Sequence, residues 1–89
     1  MDGSEKLSRL TDAGYADVVV FSEPSFDDAL IGVSDDNRAV YDYWAMVEWL
    51  MRTDGMSEEE AMEFIDYNTL RSIPYFEGAP IVMYSIEFI

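Results

Sequence analysis

The sequence contains neither cysteine nor histidine. Without cysteine there is no disulfide framework and no thiolate metal site, and we predict a reducing, cytoplasmic location. Without histidine the chain lacks the commonest general base and the usual zinc ligand. We therefore predict that the protein is not an enzyme and that it holds no metal and no cofactor. If carboxylates did carry a reaction, Asp42 and Asp66 would be the first candidates.

Positive charge is also scarce. Five lysines and arginines stand against 19 aspartates and glutamates, which gives a net charge of −14. This charge repels phosphate, so we predict no direct binding of nucleic acid and no electrostatic docking on anionic lipid. It leaves two interpretations open, which are an acidic surface for a basic protein partner and a surface that only confers solubility.

Long apolar runs are missing as well. No run approaches the ~20 residues that a membrane span requires, and the N-terminal residues contain no apolar core of a signal peptide. Yet 49% of the residues are hydrophobic and 15% are aromatic, which is too much for a disordered chain. We predict a single domain over residues 1–89, in which 1–16 form a tail or short helix and 17–89 form the core.

Turn residues and apolar patterns divide the core into a β-β-β-α-α-β order. The predicted strands are Asp17–Phe21, Ala29–Val33, Ala39–Asp42 and Ile81–Phe88. The short polar segment 34–38 predicts an antiparallel hairpin, and Gly32 predicts a bulge within it. We expect the last strand to lie inside the sheet and antiparallel to the third strand. The fold class is therefore α+β, with a small, mainly antiparallel sheet of three to four strands covered on one face by a helical hairpin.

The helical hairpin runs from Tyr43 to Leu70. Ser57 and Glu60 have the spacing of a capping box, and Gly55 supplies the left-handed residue that ends the preceding helix. Asp42 is the predicted N-cap of the first helix. On that helix, Tyr43, Met46, Val47 and Leu50 form the apolar face, and Glu48 and Arg52 are spaced as an exposed ion pair. On the second helix we predict an inner face of Ala61, Phe64, Ile65 and Asn68.

Acidic residues concentrate on the hairpin of strands and on the two helices. Asp35-Asp36-Asn37 looks like a fragment of a calcium loop, but the twelfth residue from Asp35 is Met46 rather than glutamate, so a turn is the better interpretation. The acidic candidates for partner binding are Asp35, Asp36, Glu58, Glu59, Glu63 and Asp66. The other candidates are Trp49, which is either core or an interface anchor, together with Asn68, Arg71 and Tyr75.

The apolar run Val18–Phe21 bears on assembly. As a strand it would be apolar on both faces, and a single sheet can cover only one of them. We therefore predict a homodimer or a tight contact with a different protein.

The chain resembles short, uncharacterised proteins of bacteria and prophages. The resemblance begins after Ala29 and rests on Ile31–Val33, Val40–Tyr43, Met46–Met51, Asp54–Ala61, Phe64–Thr69, Pro74–Tyr75 and Pro80–Val82. No activity is known for that group, so the resemblance implies a setting and no chemistry. A prophage setting would favour a non-enzymatic protein that interferes with a host protein.

Two classes of function follow. The first is an acidic module that binds a protein partner, with a mimic of nucleic-acid charge that inhibits a DNA-binding or defence protein as a special case. The second is a structural or accessory oligomeric protein that works through an apolar surface containing Trp49 and Tyr75.

Overall fold

A computed structural model describes residues 3–88, with side chains described for residues 5–87. The helices are α1 (Gly3–Asp12), α2 (Tyr43–Asp54) and α3 (Glu58–Phe64), and the strands are β1 (Leu30–Val33), β2 (Ala39–Asp42) and β3 (Ile81–Met83). A π-helical turn, Ile65–Leu70, continues α3, and short 3-10 turns cover Asp27–Ala29, Ile73–Tyr75 and Ile86–Phe88. The predicted α+β class is confirmed.

The three strands form one mixed sheet in the order β1-β2-β3. The predicted antiparallel hairpin is present, and its register shifts between Leu30 and Gly32, which confirms the bulge. The prediction for the last strand is wrong in three respects, because β3 ends at Met83, lies at an edge and runs parallel to β2. Beyond α2 and α3, segment 65–80 reverses the chain once more, so that Ile81 starts beside Val40 at the beginning of β2. Such a crossover is what a parallel pair requires.

The predicted strand Asp17–Phe21 is not a strand. This segment is irregular, and the Phe21 amide donates to the hydroxyl of Tyr41 at 3.1 Å instead of to another strand. Val18, Val20 and Phe21 pack against the core, whereas Val19 is 43% exposed. The run therefore covers the core as a loop, and the homodimer prediction loses the strand on which it was based.

The core lies between the sheet and the α2–α3 hairpin. Every second residue of β2, Ala39 and Tyr41, is buried in the core. This is the two-residue period of a strand with one buried face. From the helices the fully buried residues are Met46, Val47, Leu50, Ala61 and Ile65. The inner face of the second helix is only partly as predicted, because Phe64 is half-buried and Asn68 is exposed. Thr69 takes the inward position instead, four residues after Ile65.

Two of the three predicted caps, Gly55 and Ser57, form as predicted. Gly55 ends α2 with φ 69°, a left-handed conformation that glycine adopts at little cost. At the start of α3 the Glu60 amide donates to Ser57 Oγ and the Ser57 amide donates to Glu60 Oε1, each at 3.2 Å. Asp42 occupies the N-cap of α2, but its side chain accepts no hydrogen bond from the helix, and its buried Oδ1 has no partner among the described residues.

The predicted pair of Glu48 and Arg52 does not form. Arg52 Nη2 instead lies 3.2 Å from Asp28 Oδ2, so this arginine links α2 to the 3-10 turn before β1. A tertiary partner has replaced the local one, at an exposed position where either ion pair is worth little.

Ser57→Ala is expected to lower the free energy of unfolding by about 1 kcal/mol, because the Glu60 amide loses its acceptor. Urea titration measures this change, and Ser8→Ala in α1 is the control at an exposed serine. Equal stability of Ser57→Ala and the wild type would show that the capping box does not hold the start of α3.

Candidate functional site

The exposed face of α3 is acidic. Ala61, Ile65 and Thr69 point inward at intervals of four residues, which leaves Glu58, Glu59 and Glu63 exposed. The first two lie at the positive end of the helix dipole, but Glu63 is a full turn further on, where that benefit has faded. The packing of the three inward residues thus places these carboxylates on the face of α3 that is exposed to solvent.

Direct ion pairs do not neutralise this face. Among the described residues, the arginine–carboxylate ion pairs are Arg38–Asp36 at 4.0 Å and Arg52–Asp28 at 3.2 Å, and neither involves a residue of α3. Arg71, just beyond the π-helical turn, lies over the ring of Tyr67 at 4.5 Å rather than against a carboxylate. The charge of α3 is therefore available to a partner from outside.

A shallow, open depression of about 380 Å³ lies on this side of the molecule. We call it the acidic cleft, and it is lined by Met56, Glu60, Glu63, Phe64, Tyr67 and Asn68. Glu60 is engaged in the capping box, so Glu63 is the carboxylate that remains for a ligand. Asn68 Nδ2 donates to the Phe64 carbonyl at 3.2 Å, which holds its side chain at the border of the cleft.

A larger concave surface, of about 430 Å³, lies between loop 19–26, the π-helical turn and loop 72–80. We call it the apolar groove, and its principal apolar lining is Val20, Phe21, Phe26, Phe64, Ile73 and Phe76. Phe64 and Asn68 line both concave surfaces, so the groove and the acidic cleft adjoin along these two side chains.

The groove has a fixed floor and an open rim. Phe26 and Ala79 in its floor are 1% and 2% exposed, whereas Phe76 at its rim is 61% exposed. Tyr41 stabilises one wall, because its hydroxyl accepts from the Phe21 amide and its ring centroid lies 4.6 Å from that of Phe21. Burial raises the pKa of Tyr41, opposed by that hydrogen bond and assisted by the charge of Asp27, so the hydroxyl stays protonated at neutral pH.

Asp66 is joined to the core. The hydroxyl of Tyr43 donates to Asp66 Oδ1 at 3.2 Å. Burial, followed by the charge of Asp66 and this hydrogen bond, raises the pKa of Tyr43 from 10.0 to about 12. Asp66 thus has a hydrogen-bond partner within the protein, although Asp66 itself remains exposed to solvent.

The remaining sequence candidates do not converge on one place. Asp35 and Asp36 are exposed in the β1–β2 turn, where Asp36 accepts from Ser34 Oγ. Trp49 is half-buried against Phe26, with 5.4 Å between the ring centroids, so it belongs to the outer core. Tyr75 is 87% exposed and is not part of either lining. Of the predicted residues, the structure brings Glu63 and Asn68 together.

Sequence reasoning missed Phe76 and assigned Phe64 to the core alone. The signal for Phe76 was a pair of adjacent aromatic residues, Tyr75-Phe76, in a loop between a proline and a glycine, where no core position is expected. Phe64 fits the helical period of the inner face and packs half-buried against the core, but its side chain also lines the groove, just before the chain widens into a π-helical turn at Ile65. Single-turn π-helices are frequent at functional sites.

Among the described residues, no group of three or more acidic side chains is placed to hold a metal ion. Nor is any helix in the described part of the chain long and apolar enough to cross a membrane. Comparison of the chain with protein-family models, with curated proteins and with solved structures gives no match.

Proposed function

We propose that this protein is a non-enzymatic, acidic module that binds a basic surface of another protein. The observation that carries the proposal is the uncompensated acidic face of α3, where Glu58, Glu59 and Glu63 are all exposed. Complementary charge accelerates encounter and rejects partners of the wrong sign, which suits a protein of net charge −14.

A mimic of nucleic-acid charge is a special case of this proposal. It would require the basic partner to be a DNA-binding protein and the acidic face to compete with DNA for it. The exposed carboxylates show no spacing that follows a phosphate repeat, and we therefore favour the general module. A structural role through an apolar surface is the alternative class, and the exposed Tyr75 and Phe76 are the observation that favours it.

The test is capture of proteins from a bacterial lysate on the immobilised chain, at about 0.05 M and about 0.5 M salt, since the higher salt screens exposed charges almost completely. We expect the proteins captured at low salt to be enriched in basic ones and to be released at high salt. The double variant Glu59→Lys/Glu63→Lys is expected to lose them. Competition with duplex DNA then separates the mimic, whose partners DNA displaces, from the general module.

The matched control is Asp12→Lys/Asp17→Lys, which changes the net charge equally at two exposed positions on α1 and the segment after it. This control is expected to retain capture. If both double variants lost capture equally, the overall charge of the chain would explain the binding, and the acidic face of α3 would be overturned as the binding surface. Captured proteins that are retained at high salt and show no excess of basic residues would favour the apolar alternative.

A further inference from the structure

We infer that the apolar groove and the acidic cleft form one docking site for a short segment of a partner protein, in which a large apolar side chain is flanked by lysine or arginine. The apolar side chain would fill the groove beside Phe76, and the cation would lie against Glu63 in the cleft. This inference rests on the proposed function and narrows it from a charged face to a defined segment.

The shape of the groove suits a large apolar side chain. Its floor contains core residues such as Phe26 and Ala79, which cannot move without disturbing the core. Its rim carries Phe76, which is 61% exposed and would lose that exposure beneath a bound side chain. A volume of about 430 Å³ lies within the range of pre-formed ligand sites, roughly 300–1,000 Å³.

The charge of the two linings favours a cation. No lysine or arginine is among the described residues that line the groove or the cleft. Carboxylates lie on two sides, Glu23 in the groove lining and Glu63 in the cleft, and both residues are exposed. The neighbouring Arg71 is held over the ring of Tyr67, which leaves Glu63 without an ion pair among the described residues. A cation beside the apolar anchor is the complementary chemistry.

The two surfaces adjoin, and this sets the order of the two parts of an occupant. Because Phe64 and Asn68 line both, an occupant that leaves the groove over these side chains enters the cleft directly. An apolar residue and a basic residue close together in a peptide therefore match the site. A second copy of this chain is a poorer occupant, because each copy has a net charge of −14 and the two copies would repel each other.

The experiment selects short random peptides from a displayed library against the full-length chain and measures the affinity of labelled winners by fluorescence anisotropy. We expect the winners to combine a large apolar residue with lysine or arginine nearby. Phe76→Ala is expected to weaken them about tenfold, since part of the burial of an aromatic side chain is lost. Tyr75→Ala is the matched control, because Tyr75 is the adjacent residue, is 87% exposed and lines neither surface.

A second pair of variants tests the charge. Glu63→Lys is expected to weaken the winners about fivefold more than Glu59→Lys at low salt, although both reverse one exposed charge on the same helix. The docking site would be overturned if the selected peptides were basic but Phe76→Ala left their affinity unchanged and the two charge reversals weakened it equally. The proposed function would still stand in that case. Winners without basic residues would contradict both. Self-association of the chain that Phe76→Ala abolishes would assign the groove to a second copy and overturn this inference.

Discussion

Leu50→Ala is expected to lower the free energy of unfolding by about 3 kcal/mol, through the lost transfer of the side chain from water and the cavity left behind. Leu50 is 0% exposed and lies on the face of α2 that meets the sheet and the second helix. Leu50 belongs to the same buried cluster as Tyr41 of β2 and Ala61 of α3, and the substitution removes packing from that cluster. Urea titration of the purified variant measures the change.

The control is Met51→Ala, at the next position of the same helix, where the side chain is 40% exposed. Leucine and methionine have similar helix propensities, so the comparison separates burial from helix formation. We expect Met51→Ala to cost less than about 1 kcal/mol. Similar losses for the two variants would place the core on a different face of α2.

The buried face of α2 is also where sequence and structure agree best. Local signals dictate it, because the apolar period of the helix, the glycine at its end and the capping box of α3 each depend on residues within one or two turns. The direction of β3 depends on the path of segment 65–80, which no local pattern encodes. The run Val18–Phe21 has the composition of a strand, yet the hydroxyl of Tyr41 takes the Phe21 amide that a strand would have paired. For this run a tertiary contact overrides the local strand propensity.

Part of the candidate site can likewise be predicted from the sequence, and part of it cannot. Spacing alone indicates that Glu59 and Glu63 are exposed on a helix, because the inward positions at Ala61 and Ile65 are periodic. The apolar groove could not be predicted, since one wall comes from loop 19–26 and the others from residues 64–80, which are distant from that loop in sequence. The acidic charge can be read from the sequence. The apolar groove, in contrast, exists only because the fold brings loop 19–26 and loop 72–80 together.

Alkaline pH is expected to destabilise the protein through Tyr43. In the unfolded chain this tyrosine ionises near its ordinary pKa of 10.0, whereas in the folded protein its pKa is about 12. Between these values the folded state binds the proton more tightly, so stability falls as pH rises. The contribution is fully present below pH 10 and is lost by about pH 12, and two pKa units correspond to about 2–3 kcal/mol.

Tyr43→Phe isolates this contribution, because phenylalanine keeps the ring in place and removes the proton. At neutral pH the variant is expected to lose about 1 kcal/mol with the hydrogen bond to Asp66. Between pH 9 and pH 12 its stability should fall less steeply than that of the wild type, by about 2–3 kcal/mol in urea titrations. A remaining fall is expected from Tyr41, whose pKa burial also raises. Tyr75→Phe is the control at an exposed tyrosine, and a slope for Tyr43→Phe equal to that of this control would show that the Tyr43 proton does not stabilise the fold.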